Sequence, residues 1–326
     1  MSPDATHERT GSLSSSANVI SRFLSLNQIY TAHELDTYLA TLSAVGHDTF
    51  DQKQPTPDII ALSASAILAI AEAVFEWAAQ YFKTQNDANS HRKHPGSVLL
   101  VLCGGIGPST SFIYQAIKAN AKYSGVCKDI KGKPEAEVLR TMAERFYGLQ
   151  VNNPESKQVS PGNLSILVEN QSVNYTTCAS EVRKVLESHG VHNPRSITVV
   201  HDPNMSRRTV ESFNDIYGKQ RQGLGIASWP AFLPDHSHKT RQGLGSFDKP
   251  NSSQLGLEDG KRLWSMDRFL DRILGDIPRL GQYESVRDSG FTSGVEIPDE
   301  VEDAWSTVLD GYNSHPSLQS APTITS

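Results

Sequence analysis

The residues able to do chemistry in this chain gather where apolar runs end. Gly104, Gly105 and Gly107 follow the run Ser97-Val-Leu-Leu-Val-Leu-Cys103 and lead into Pro108-Ser109-Thr110. Glycines let a backbone approach a ligand closely. A helix start behind them presents N–H groups and a positive dipole end, which suit a phosphate or carboxylate. Ser109 and Thr110 add hydroxyls, either for a ligand or for capping the helix. The spacing reads GxGxxT, so the dinucleotide fingerprint is incomplete, and no P-loop lysine follows.

A second constellation is Asp202-Pro203 with Arg207 and Arg208, after Ser196-Ile-Thr-Val-Val200. Asp202 fits an N-cap with Pro203 at the first helical position. The two arginines cannot face the same way on a helix, so one is expected to fork onto an anion. Glu169-Asn-Gln-Ser172 and Asn174 follow Leu164–Val168 and could read a ribose or an amine, or serve Asx-turn capping. Glu135 stands at a helix start, where an acid is stabilised in any case. Ser63 lies where the first run, Asp58–Leu62, turns. Cys103 is a candidate nucleophile, or a buried small hydrophobe. No acid-plus-His spacing suits a metal, and none is expected. No Gly-x-Ser-x-Gly elbow occurs.

The elements that must position these residues are strands and helices in alternation. Asp58–Leu62, Ser97–Cys103, Leu164–Val168 and Ser196–Val200 read as buried strands. Helices are expected over 66–82, after Thr110 through Ala119, after Pro134 through Phe146, over 177–189, and after Asp202. Four strand–loop–helix units predict an α/β fold: a Rossmann-like, mostly parallel sheet with helices on both faces. Ligands of such sheets bind beyond the carboxyl ends of the strands, where every candidate above lies. Ile59–Ala79 is apolar enough to suggest a membrane span, but it holds Glu72 and Glu76 and reads as strand plus helix. Glu72, Glu76 and Gln80 then share one helix face.

The 326 residues carry a net charge of -6, which gives no basic stripe for nucleic acid. Three cysteines with no CxxC pair, and no apolar leader over 1–18, suit a reducing compartment. The expected organisation is disorder over 1–17 and a helical arm over 18–56. The core follows over 57–218, then a C-terminal extension packing on it over 219–310 and a disordered tail over 311–326. Within the extension, 263–274 and 298–309 read as helices, and Arg-Gln-Gly-Leu-Gly occurs twice, at 221–225 and 241–245.

Spaced motifs in order also resemble a known family. They are Val101–Ile117, Gly132–Ala136, Glu169–Asn174 and Val199–Thr209, then Trp229–Pro234, Leu263-Trp264 with Arg268–Leu270, and Gly275–Leu280. Together they are similar to the SanA/ElyC/YdcF family (domain of unknown function 218), in its soluble YdcF-like branch. The resemblance implies a Rossmann-like domain with a C-terminal extension and a switch-region site linked to S-adenosylmethionine. It implies no defined reaction. Two positions depart from the pattern. Ala61–Ser65 has no glycine where relatives turn, and Thr177-Cys178 replaces Glu-Asn, so a family carboxylate is missing.

The expectation is a cytoplasmic protein binding a nucleotide-like small molecule, with S-adenosylmethionine as candidate cofactor and neither nucleic acid nor membrane as partner. Ser63, Gly104, Gly105, Gly107, Ser109, Thr110, Glu135, Glu169, Asn174, Asp202, Arg207 and Arg208 are its candidate contacts. Trp229 and Phe232 either close the site or pack the extension. An enzyme, either a methyl transferase or a hydrolase of a phosphorylated metabolite, and a non-catalytic interaction protein remain as alternatives.

Overall fold

The computed structural model describes residues 3–45, 56–86, 97–152, 164–218, 224–230, 266–281 and 295–314. They form two compact units: Asn27–Asp202 with Arg208–Ala231, and Met1–Leu26 with Pro203–Arg207 and Phe232–Ser326.

The first unit is α/β and Rossmann-like. Its strands are β1 (Asp58–Ser63), β2 (Val98–Cys103), β3 (Leu164–Glu169), β4 (Ser196–Val200) and β5 (Gly225–Ser228). They form one sheet in the order β3-β2-β1-β4-β5. Every pairing is parallel. All residues of β1, β2 and β4 are buried, which is why they are predominantly apolar, with β2 unbroken. Each buried Ile or Leu in them contributes about 1.5–3 kcal/mol. The helices of this unit are α2 (Ala32–Val45), α3 (Leu68–Asn86), α4 (Thr110–Ala119), the short α5 (Cys127–Ile130), α6 (Glu135–Tyr147), α7 (Tyr175–Ser188) and most of α8 (Ser206–Phe213). The strand order reverses between β1 and β4, and the carboxyl ends of those strands flank the switch-point crevice.

Two details of this unit go beyond the sequence reading. Glu76 and Gln80 are exposed, but Glu72, expected on the same helix face, is shielded from solvent. It is buried and accepts the Tyr123 hydroxyl at 2.9 Å. A fifth strand, β5, falls inside the segment read as loop. Only half of its four residues are buried, so it carries no apolar run. Its edge is covered by Gln28 and Ile29, whose N–H groups donate to the Ser228 carbonyl.

The second unit is helical: α1 (Pro3–Ser25), a 3₁₀ turn at Pro203–Met205, α9 (Met266–Gly281) and α10 (Asp299–Ser314). Ala17, Ile20 and Leu24 bury one stripe of α1. Residues 3–17, expected to be disordered, are helical, and α10 runs to Ser314 where a tail was expected to begin at 311. Gly311 lets α10 pass Leu13, since a Cβ there would lie 2.3 Å from Leu13 Cδ2. Trp305 Nε1 donates to the Leu274 carbonyl at 3.0 Å, tying α10 to α9. The predicted boundaries therefore change. α1 and α2 belong to different units, Pro203–Arg207 leaves the predicted core, and β5 joins it. Residues 46–55, 315–326 and most of 219–265, including Phe232, Trp264 and the second Arg-Gln-Gly-Leu-Gly segment, lie outside the described residues. No helix among the described residues is long and apolar enough to cross a membrane.

Candidate functional site

The glycine turn is committed to the protein's own backbone. Gly104 N–H donates to the Glu169 carbonyl at 2.9 Å, and Gly105 N–H to the Ser172 carbonyl at 2.7 Å. Gly107 N–H donates to Thr110 Oγ1 at 2.8 Å. The carbonyls of Gly105 and Gly104 accept the first N–H groups of α6, from Glu135 at 3.0 Å and Ala136 at 2.7 Å. All three glycine N–H groups are therefore already donated within the protein. Their hydrogen bonds join the β2–α4 turn to the β3–α7 turn and to α6.

Glycine is nevertheless required. Gly104 has φ +144°, and a Cβ there would lie 2.9 Å from Glu135 Cβ. At Gly105 a Cβ would sit 2.6 Å from the Ser172 carbonyl oxygen, and at Gly107 2.7 Å from that of Val173. These positions need glycine so that two turns can meet.

Glu135 begins α6 after Pro134, which occupies the N-cap rather than the first helical position. Its side chain is buried beside Gly104 and Ala64. Glu135 Oε1 accepts the Ser109 hydroxyl at 2.9 Å. Burial pushes this carboxyl above the usual Glu range. The Ser109 and Thr110 hydroxyls pull it back, and the nearby charge of Asp202 raises it further. Among the described residues Glu135 forms no ion pair. Ser109 and Ile106 are exposed, so the turn over this carboxyl meets solvent.

Asp202 stands past β4, across the switch point. It is buried and takes the Ser65 hydroxyl on Oδ1. Its N–H donates to His201 Nδ1 at 2.6 Å. Ser65 Oγ also accepts the Ile67 N–H at 2.8 Å, which fixes the turn after β1. Ser65 was not singled out in the sequence, although it lies two residues past a strand at the switch point. The fold thus gathers Ser65, Ser109, Thr110, Glu135 and Asp202 at the carboxyl ends of β1, β2 and β4.

The other candidates have local roles. Glu169 Oε1 accepts the N–H groups of Gln171 at 2.6 Å and Ser172 at 2.8 Å, and Oε2 accepts Ser172 Oγ at 2.6 Å. Asn174 is the N-cap of α7, accepting Thr177 N–H at 3.0 Å. Ser63 Oγ lies 4.0 Å from Cys178 Sγ. The arginines separate, as their adjacency on a helix requires. Arg208 stacks on Tyr175 at 4.0 Å from the ring centroid and donates to its hydroxyl. Arg207 belongs to the helical unit, where Nε donates to the Phe23 carbonyl at 2.6 Å and the guanidinium lies 4.1 Å from the Phe23 ring. Trp229 is buried past β5, its backbone N–H donating to the Val199 carbonyl at 2.9 Å. Cys103 is buried, and burial first, then Cys178 and Glu169, push its thiol well up. That opposes nucleophile chemistry. No known family model matches the sequence.

Proposed function

We propose that this chain binds a nucleotide-like small molecule at the carboxyl ends of β1, β2 and β4, with S-adenosylmethionine as the candidate ligand and the cytoplasm as its setting. The motif resemblance to the SanA/ElyC/YdcF family suggests the adenosyl compound. The observation that carries the reading is Glu135: a buried carboxyl at the switch point, bonded by the Ser109 and Thr110 hydroxyls, whose charge is opposed by burial and by Asp202. Such a carboxyl gains from a ligand hydroxyl, amine or sulfonium near it. A phosphate gains little, because the glycine N–H groups that would hold it are already donated within the protein. The reading therefore favours an adenosyl cation over a nucleotide phosphate.

The same pair of acids supports an enzyme as second reading. A carboxyl raised above its ordinary range by burial and by another acid is suited to proton transfer, as a methyl transfer or hydrolysis would need. Calorimetric titration with S-adenosylmethionine, S-adenosylhomocysteine and ATP tests the first reading. Saturable binding of the sulfonium compound, with ATP at least about ten-fold weaker, supports it. Absence of heat with all three withdraws the ligand. Turnover in a metabolite screen that Glu135→Gln abolishes would promote the enzyme.

A further inference from the structure

Beside the glycine turn, a row of donor side chains crosses three strands. The last register positions of β1, β2 and β3 pair Ser63 with Cys103 and Cys103 with Glu169. Parallel neighbours in register point to the same face of a sheet. On that face, α7 contributes Cys178 from its first turn. The Cys103 and Cys178 sulfurs and a Glu169 carboxylate oxygen all lie within 4.8 Å of one another. Ser63 Oγ is 4.0 Å from Cys178 Sγ. Cys103, Glu169 and Cys178 are 1%, 1% and 3% exposed.

We propose that this cluster is a zinc site, with Cys103, Cys178 and Glu169 as ligands and Ser63 as the neighbouring oxygen at the fourth position. Two sulfurs and a carboxylate oxygen suit a borderline-soft divalent ion that takes four ligands. The positions lie 66 and 9 residues apart in the chain, so no metal-type spacing announces them. The Glu169 carboxylate is held in place by the Gln171 and Ser172 N–H groups and the Ser172 hydroxyl, as outer-shell donors hold a metal's carboxylate ligand. Binding exchanges two S–H bonds for two S–Zn bonds and sends two protons to solvent, so affinity rises with pH. The site is separate from Glu135 and Asp202 and stands whether or not an adenosyl ligand binds. A bound ion would pin the ends of β2 and β3 to α7, directly behind the glycine turn.

Cobalt(II) and zinc(II), added to the chelator-treated full chain, test this. The expected result is a sulfur-to-cobalt charge-transfer band that saturates at one equivalent and is displaced by zinc, with two protons released per zinc. Cys103→Ser and Cys178→Ser each remove the band, Cys127→Ser keeps it, and Glu169→Gln weakens binding by about ten-fold or more. Should the cysteine variants fail to fold, zinc-edge X-ray absorption of the wild-type protein decides. Two sulfurs at about 2.3 Å support the site. A shell of oxygen and nitrogen alone, no charge-transfer band, or a band that survives either substitution overturns it.

Discussion

Each end of the sheet buries acids, and the two ends treat them differently. At the amino end, Asp58 of β1 is fully buried. Arg195 forks onto it, with Nε at 3.0 Å from Oδ1 and a second nitrogen on Oδ2, and Ser196 Oγ adds a bond of 2.7 Å. A guanidinium and a carboxylate matched in this way form a structural clamp. At the carboxyl end, Glu135 is buried against hydroxyls and another acid. The contrast separates a carboxylate matched by a guanidinium from a carboxyl whose ionisation is opposed by burial.

Three substitutions and one pH profile press on this contrast, from the largest effect to the smallest. Arg195→Ala leaves Asp58 buried without its fork and should cost about 3–5 kcal/mol in urea unfolding, while sparing ligand affinity in whatever folded protein remains. A loss under about 1 kcal/mol would show that the clamp is dispensable. Gly105→Ala drives a Cβ to 2.6 Å from the Ser172 carbonyl oxygen. It should cost about 1–3 kcal/mol, seen as a lower thermal midpoint, because the oxygen it meets belongs to packed backbone. Unchanged stability would mean that the two turns separate easily.

Glu135→Gln reverses the pattern of Arg195→Ala. Its stability should match or exceed wild type, while S-adenosylmethionine binding weakens about ten-fold. Equal affinity in titrations of the two proteins would remove Glu135 from the site. The smallest effect is its pH dependence. A carboxyl raised in the folded state binds more protons there than in the unfolded chain. Its contribution is thus fully present below the ordinary Glu range and declines as pH rises through the raised value. Glu135→Gln should flatten that decline. Superimposable curves of stability against pH would contradict the assignment.

Much of the sheet was legible in the sequence because burial on both faces leaves a plain mark. Ser196–Val200 matches its predicted bounds, and the other three predicted strands match within a residue. β5 left no such mark, since an edge strand of four half-buried residues needs no apolar run. Residues 3–17 read as polar and serine-rich, and their helix continues into a buried stripe that only distant partners explain. The candidate site was legible as a location. Glu135, Asp202, Ser109 and Thr110 do meet at the strand ends. The chemistry of the glycines was not legible, because a glycine that admits a ligand and one that admits a neighbouring turn look alike in sequence. Ser65 and Cys178 drew little notice because their significance lies in what stands opposite them, 137 and 115 residues away along the chain, at Asp202 and Ser63.

The sequence by itself determined the α/β alternation, four of the five strands and the strand-end placement of the polar residues. Those features follow from local period and burial, which each segment carries in its own composition. Tertiary structure alone decided the rest. It turned the glycine N–H groups inward, sent Arg207 and Arg208 to different units, and set Glu135 near Asp202. It also aligned Ser63, Cys103 and Glu169 across three strands beneath Cys178. Each of these depends on strand order and register, which bring together residues whose separation along the chain carries no signal.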